Sequence, residues 1–162
     1  LKCYAILQSR FAEILYLDAD QVPVRDPSFL FDAAQYRETG AIFWPGVTDI
    51  AAVNPIWPLV GLPPEQTPSW DSGQILIDKT QHMVPLHMTL HLNEQHAIVY
   101  RHLNGDNDTF LVAWRLARAS ATVIPYRPFA DPRVLIQRGF DGAPLFQHRF
   151  GCKWTYGGDQ YD

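Results

Sequence analysis

EILYLDADQVPVRDPSFLFD, residues 13–32, carries the clearest signal of the fold in this chain. The apolar run from Ile14 to Leu17 predicts a short buried strand, which the chain leaves at Asp18. Asp18 and Asp20 stand one residue apart just past this strand, so both carboxylates can turn toward one hard cation. The same spacing is common in plain strand-to-loop turns. The motif alone therefore leaves a metal site and a simple turn open.

The periodicity on either side of this stretch predicts one α/β domain, residues 1–162, with a mixed sheet and flanking helices. Strands are predicted at 13–17, 40–44, 74–77, 121–124, 134–137 and 145–148. Helices are predicted over 1–11, 27–31 with Asp26 as N-cap, 56–60, 80–95 and 108–119. Because 45–69 is rich in proline, it is predicted as a long loop around the turn at 56–60. Ligands in such sheets bind at the carboxyl ends of strands, where Asp18 and Asp20 are expected.

The composition narrows the class of protein. The chain has 162 residues, of which 47% are hydrophobic and 19% charged, as in a soluble domain with its own core. Its net charge of −4 gives no basic field for a nucleic acid, and no apolar run reaches the roughly 18 residues of a membrane span. Cys3 and Cys152 are far apart in the sequence, which indicates two free thiols in a reducing compartment. We therefore expect neither nucleic acid nor a membrane span.

One rival class fits the first motif. Asp18-x-Asp20-x-Val22 after an apolar strand looks like the nucleophile motif of haloacid-dehalogenase-type phosphatases, in which the first Asp attacks phosphorus and the second is the acid/base. Lys79 and the segment 105–108 would then supply that family's later motifs. The fit weakens there, because the second acidic motif of that family follows an apolar strand and residues 100–104 are polar and charged.

Five blocks in register carry a different resemblance. They are EILYLDADQVPVRDPSFLFD at 13–32, GAIFWP at 40–45, DSGQILIDK at 71–79, GDNDTF at 105–110 and FQHRFGCKW at 146–154. In this order the chain resembles the GT-A mannosyltransferases of the fungal MNN type and their bacterial relatives, and more distantly the glycogenin class. The resemblance implies a GT-A fold. Such domains carry a long segment ahead of Asp-x-Asp that binds the nucleotide base, whereas seventeen residues stand there here, so we expect a partial domain without those βαβ units.

The resemblance also implies a metal centre. His148 matches the histidine that joins the two aspartates on the cation, so Asp18, Asp20 and His148 are the predicted ligands of Mn²⁺ or Mg²⁺. Neutral imidazole suits Mn²⁺ well. Lys153 would then meet the diphosphate and Trp154 would close the site. The glycogenin class spaces its His and Lys one residue further apart, which bears on the role of Lys153.

Two further blocks are predicted to bind the sugar. Asp71, Ser72 and Gly73 are expected at the start of a strand, where Gly73 permits close backbone approach and Asp71 accepts hydrogen bonds from sugar hydroxyls. In the GDND block the resemblance implies that Asp106 binds the sugar and that Asn107 or Asp108 lies near the reacting centre. Read without it, Asp108 is an N-cap and Asp106 a solvated turn residue.

Taken together, the resemblance implies a metal-dependent retaining transferase that moves a hexose, mannose above all, to a carbohydrate hydroxyl. The donor is expected to be GDP-mannose, with a UDP-hexose as the alternative. No matched block holds a Glu nucleophile, which favours attack by the acceptor on the same face over a covalent intermediate. Two alternatives stay open, namely the phosphatase and an inactive truncated domain that binds sugar or metal. The compartment would be the cytoplasm for a bacterial protein and the Golgi lumen for a eukaryotic fragment.

Overall fold

A four-stranded sheet forms the centre of the computed structural model, which describes residues 2–151. From one edge to the other, its strands are β1 (Glu13–Leu17), β4 (Thr67–Asp78), β3 (Ala41–Ile50) and β5 (Thr122–Val123). β4 runs antiparallel to both neighbours, whereas β3 and β5 are parallel. The mixed sheet predicted from the sequence is therefore confirmed.

A second sheet joins one strand near the start of the described chain to three strands near its end. Its strands are all antiparallel and follow the order β2 (Gln21–Pro23), β8 (Pro144–His148), β7 (Val134–Arg138) and β6 (Phe129–Asp131). β2 begins directly after Asp20 and pairs Gln21 with His148. This pairing brings residues more than a hundred positions apart in the sequence to one place.

Helices flank the first sheet. They are α1 (Lys2–Gln8), a 3₁₀-helix (Ser28–Asp32), α2 (Ala34–Thr39), α3 (Ile56–Leu59), α4 (Lys79–Glu94), α5 (His96–Val99) and α6 (Asn107–Ala117). α4 begins where the Asp78 carboxylate accepts a hydrogen bond from the Thr80 amide at 2.9 Å. α2 ends at Gly40, whose φ of 66° lies in the left-handed region that glycine adopts without strain. Among residues 2–151, no helix is both long enough and apolar enough to cross a membrane.

The period-two alternation of β3 gives the sheet two buried faces. Phe43 points into one apolar cluster with residues of α1, α4 and α6, whereas Ile42 and Trp44 point into a second cluster on the opposite face. The second cluster includes Leu145 and Phe146 of β8. Therefore α1, α4 and α6 cover one face of the first sheet, and the second sheet covers part of the other together with Leu30 of the 3₁₀-helix and Tyr36 of α2.

Most predicted elements are confirmed, but the two central strands are longer than predicted. β3 continues through Pro45 to Ile50, and β4 already begins at Thr67, so the predicted loop over 45–69 is wrong at both ends. β5 pairs only with Ile42 and Phe43. Within residues 2–151, β3 has no further ladder on that side, and a proline without an N–H can continue the strand there.

Three smaller differences concern position. β1 is half-buried rather than buried, because it lies at the edge of its sheet. β2 and β6 were not predicted, since three residues are too few to show an alternation. Asp71 lies well inside β4 and not at the start of a strand. The site residues of this block are consequently more enclosed than the sequence suggested.

Candidate metal and sugar site

Asp18 and Asp20 lie where the chain leaves β1 and turns into β2. The Asp18 amide donates to the Gly73 carbonyl of β4 at 2.8 Å. On the other side, the Arg149 amide donates to the Asp20 carbonyl at 2.8 Å, just past the end of β8. The turn is therefore fixed to both sheets, and the two carboxylates have a rigid backbone beneath them.

The structure brings the three predicted metal ligands together. One oxygen of each carboxylate and one imidazole nitrogen of His148 lie within 4.8 Å of one another. His148 Nε2 is 3.5 Å from Asp20 Oδ1, and the side chains of Asp18, Asp20 and His148 are 19%, 12% and 13% exposed. Two carboxylates and a neutral imidazole form a donor set that suits Mn²⁺, and the imidazole suits Mg²⁺ less well.

The second ring nitrogen of His148 faces another acid. His148 Nδ1 is 3.4 Å from Oδ2 of Asp71, a residue only 3% exposed. The pKa of His148 is raised; burial opposes the rise, but the hydrogen bond to Asp71 and the charges of Asp71, Asp20 and Asp18 outweigh it. The pKa of Asp71 is lowered although burial acts to raise it, because His148, the Gly73 amide and Gln137 bind the charged carboxylate. Asp71 and His148 are thus electrostatically matched.

Gly73 makes room for the histidine. A Cβ atom on Gly73 would lie 2.9 Å from Cε1 and Nδ1 of His148, and closer still to Nε2 of Gln21. Real Cβ contacts are not that short. The close approach expected at this glycine therefore occurs, and the group that approaches is the imidazole of the chain itself.

Lys2 is a site residue that sequence reasoning missed. Its ammonium group lies 2.9 Å from Asp18 Oδ2 and 3.5 Å from Asp106 Oδ1, and it donates to Ser72 Oγ at 2.8 Å. A single lysine in a helix has no spacing signal, and its place depends on how α1 packs into the core through Cys3 and Ile6. Lys2 thus links the turn that holds Asp18 and Asp20, here called the aspartate turn, to both of the predicted sugar-binding blocks.

Tyr16 supports the same carboxylate from the strand before it. Its hydroxyl donates to Asp18 Oδ1 at 2.9 Å. Burial and this hydrogen bond raise the pKa of Tyr16, so the hydroxyl keeps its proton. Tyr16 and Asp18 stand two positions apart at the end of β1, so their side chains share one face, and this spacing is the signal from which the contact could have been found.

The predicted GDND block at residues 105–108, here called the acidic turn, divides into two parts. Asp106 pairs with Lys2, and Asn107 Oδ1 accepts hydrogen bonds from Ser72 Oγ at 2.5 Å and from the Ser72 amide at 3.2 Å. Asp108 is buried and accepts from the Asn104 amide at 3.0 Å, and its pKa is raised by burial against the effect of backbone hydrogen bonds. Of the three predicted catalytic residues, the structure brings Asp106 and Asn107 to the aspartate turn and turns Asp108 toward the backbone of its own loop.

A cleft of about 280 Å³ adjoins the three predicted ligands at His148. One part of its lining is apolar, with Val47, Trp70, Leu135 and Phe150. The rest is largely polar, formed by Gly46, Thr48, Ser69, Asp71, Asn104, Asn107 and His148. A lining that combines apolar side chains with hydrogen-bonding groups suits a sugar ring, since the ring has C–H faces and an edge of hydroxyls.

The phosphatase alternative loses its lysine in this fold. Lys79 follows β4 at the end opposite Asp18, because Glu13 pairs with Asp78 and Leu17 with Gln74. The Lys79 ammonium binds the backbone carbonyls of Leu7 and Ser9 instead. Lys79 is therefore not available beside Asp18, although Asp106 of the segment 105–108 lies near Asp18 across Lys2.

Two residues of the transferase prediction, Lys153 for the diphosphate and Trp154 for closing the site, lie outside the described residues.

Sequence comparison matches most of the chain, up to residue 127 and so without His148, to one family of proteins. The profile of the family described as "Mannosyltransferase putative" matches residues 1–54 and 64–127, which is more than half of the chain. The matched ranges contain the aspartate turn, β4 and the acidic turn.

Several similar proteins come from fungi. Alpha-1,2-mannosyltransferase MNN21 of Candida albicans is 27% identical over 69% of the chain and 24% of its own length. Alpha-1,2-mannosyltransferases MNN5 and MNN2 of Saccharomyces cerevisiae are 26% and 24% identical over 93% and 92% of the chain, and over 35% and 32% of their own lengths. The chain thus spans about a quarter to a third of the length of these relatives.

Proposed function

Because this chain belongs to that mannosyltransferase family, we propose that it carries the metal- and sugar-binding part of a retaining mannosyltransferase. The donor would be GDP-mannose and the acceptor a carbohydrate hydroxyl. The observation that supports this most strongly is the convergence of Asp18, Asp20 and His148, from two different sheets, in a chain whose relatives are named alpha-1,2-mannosyltransferases.

Asp18, Asp20 and His148 would hold Mn²⁺. When bound, the cation would neutralise the diphosphate of the donor and stabilise it as a leaving group. Lys2, 2.9 Å from Asp18, would add a second positive charge toward the same diphosphate. The negative charge of the paired carboxylates is thus balanced on two sides.

The cleft beside His148 would hold the sugar. Its apolar wall, which includes Trp70, suits the C–H face of a hexose, and Asn107 lies on its polar side. The Asn107 amide oxygen accepts from Ser72, which leaves the amide N–H groups for sugar hydroxyls. Asp106 is the carboxylate of the acidic turn nearest to Lys2 and would accept from a sugar hydroxyl at the mouth of the site.

Retention of configuration is proposed without a covalent intermediate. Asp71 is the carboxylate in the lining of the cleft, and it is occupied by hydrogen bonds from the protein. A buried carboxylate with its lone pairs in use is a poor nucleophile. We therefore propose attack by the acceptor hydroxyl on the face that the leaving group departs from.

The first test replaces one ligand by its uncharged isostere. Asp20→Asn is expected to lower Mn²⁺ affinity at least tenfold, by titration calorimetry, and to abolish transfer of mannose from GDP-mannose to a mannoside acceptor. Asp32→Asn is the matched control, because Asp32 is a surface carboxylate whose side chain is 79% exposed. Transfer at the parental rate by Asp20→Asn would overturn the proposal.

The same titrations separate the alternatives. Mn²⁺ and GDP binding without transfer would support a metal- and sugar-binding domain that does not turn over. Phosphate-ester hydrolysis that depends on Asp18 and needs no sugar nucleotide would favour the phosphatase.

A further inference from the structure

Asp71 is enclosed by hydrogen-bond donors. Its Oδ1 accepts from the Gly73 amide at 3.0 Å, and its Oδ2 accepts from Gln137 Nε2 at 2.8 Å and from Gln74 Nε2 at 3.3 Å. Nδ1 of His148 lies 3.4 Å from the same Oδ2. An ionised carboxylate has about four lone-pair positions, and four donors of the chain itself surround this one. Three of these donors meet Oδ2, and Asp71 is only 3% exposed, so this oxygen is occupied by the chain itself and not by the sugar hydroxyls predicted for this residue.

From this geometry we infer that Asp71 is a positioning residue, which holds His148 as the Nδ1–H tautomer and so presents the Nε2 lone pair to Asp18 and Asp20. The inference rests on the proposed function only for its consequence, which is that Nε2 is the nitrogen that binds the cation. Both ring nitrogens face a carboxylate, but the contact of Nδ1 with Asp71 is the hydrogen bond, whereas Asp20 faces Nε2 as an ion-pair partner; since a carboxylate can only accept, Nδ1 carries the hydrogen of the neutral ring. The other nitrogen, 3.5 Å from Asp20 Oδ1, is then the one left unprotonated in the neutral ring.

Asp71 is itself held in place from the second sheet. Gln137 of β7 is fully buried, and its amide group donates both to Asp71 Oδ2 and to the Pro45 carbonyl at 3.1 Å. This amide links β7 to β3 and β4 across the two sheets. The orientation of the imidazole thus depends on a chain of contacts, from Gln137 through Asp71 to His148.

Gly73 completes the arrangement. Because Gly73 has no Cβ, the ring of His148 can lie against β4 close enough for Nδ1 to reach Asp71. Carboxylate partners of metal-binding histidines fix the tautomer and the ring orientation, and replacing them typically costs roughly 10- to 100-fold in metal affinity. Here the partner lies two residues from the glycine that admits the ring.

The variant Asp71→Asn tests the inference, because an asparagine can turn its NH₂ group toward Nδ1. His148 would then become the Nε2–H tautomer, whose Nε2 has no lone pair for a cation. Long-range ¹H–¹⁵N correlation spectra of the metal-free chain, recorded where the rings are neutral and assigned with His148→Asn, report the tautomer directly. We expect Nδ1–H in the parent and Nε2–H in Asp71→Asn, with a loss of Mn²⁺ affinity of about 10- to 100-fold.

His82 is an internal control in the same spectra. It is buried, and its Nε2 lies 2.8 Å from the Thr39 carbonyl, so it must be the Nε2–H tautomer in both proteins. A change at His82 in Asp71→Asn would show that the substitution disturbs the fold in general. The inference is then tested by the tautomer of His148 in the parent chain alone. An Nε2–H tautomer of His148 in the parent chain would overturn the inference, as would unchanged Mn²⁺ affinity in a folded Asp71→Asn protein.

The two proposals fail in different ways. If the parent chain has the Nδ1–H tautomer and loses it in Asp71→Asn, the positioning role holds even where no Mn²⁺ binds. Failure of the parent chain to bind Mn²⁺ at any pH would instead overturn the metal site of the proposed function.

Discussion

The two sheets of this protein have different tasks, although each has four strands. The first sheet is buried on both faces, and its β3 and β4 supply the centres of both apolar clusters. The second sheet is shorter, and all three residues of its edge strand β6 are exposed. It nevertheless carries His148 and Gln137, which complete the candidate site.

The comparison of the two sheets separates the residues that stabilise the fold from those that assemble the candidate site. The carboxylates lie in the turn that leads from the first sheet into the second, whereas the imidazole comes from the second sheet, which contributes less to the core. The two sheets meet where the ring of His148 lies against Gly73 of β4, and this contact is called the junction below. Substitutions in the first sheet should therefore affect folding, those at the junction mainly metal binding, and those at the outer edge of the second sheet neither.

The largest effect is expected for Phe43→Ala in β3. Phe43 is fully buried and stacks on Trp70 with a centroid distance of 4.1 Å, while Trp114 meets it edge-on at 4.9 Å. Removing a buried phenyl ring costs about 3 to 5 kcal/mol, which is a large part of the stability of a domain this size. Chemical denaturation monitored by circular dichroism measures the loss. A change below about 1 kcal/mol would mean that this cluster does not hold the fold together.

An intermediate effect is expected for Gly73→Ala at the junction. The added methyl group must displace the His148 ring or the strand, and overpacking of this kind costs about 1 to 3 kcal/mol. Mn²⁺ affinity should fall more than stability does, because the imidazole moves away from the carboxylates. Titration calorimetry and denaturation of the same samples compare the two losses.

The double variant Gly73→Ala/His148→Ala is the control. Without the ring, the methyl group added at position 73 still meets the amide of Gln21 but no longer the imidazole, so its stability cost should shrink in this background. Equal costs in both backgrounds would show that Gly73 does not exist to admit His148.

The smallest effect is expected for Phe129→Ala in β6. Phe129 is 60% exposed on the edge strand of the second sheet, so its ring is not part of either apolar cluster. Removing it should change the unfolding free energy by no more than about 0.5 kcal/mol and leave Mn²⁺ binding unaltered. The side chain removed is the same as in Phe43→Ala, and a comparable loss from both would contradict the division between the sheets.

Several features of the site could be predicted from local sequence. The apolar run before Asp18 predicts a strand wherever it occurs, and the alternation of Tyr16 with Asp18 places both side chains on one face. The approach of some group to Gly73 also follows from the residue type. The ranking among Asp106, Asn107 and Asp108 did not follow, because it depends on whether Lys2 or the Asn104 backbone meets each side chain.

Local residue patterns are enough to establish a mixed α/β protein whose first strand ends in a pair of carboxylates, because hydrophobic period and turn residues act over a few positions. What surrounds that pair depends on the packing of the whole chain. Pairing of the three-residue strand β2 with β8 places His148 beside Asp20, packing of α1 places Lys2 beside Asp18, and the burial of Asp71 turns its carboxylate toward His148. Such contacts join residues distant in the chain, and their free energy comes from the packing of whole elements rather than from any local pattern.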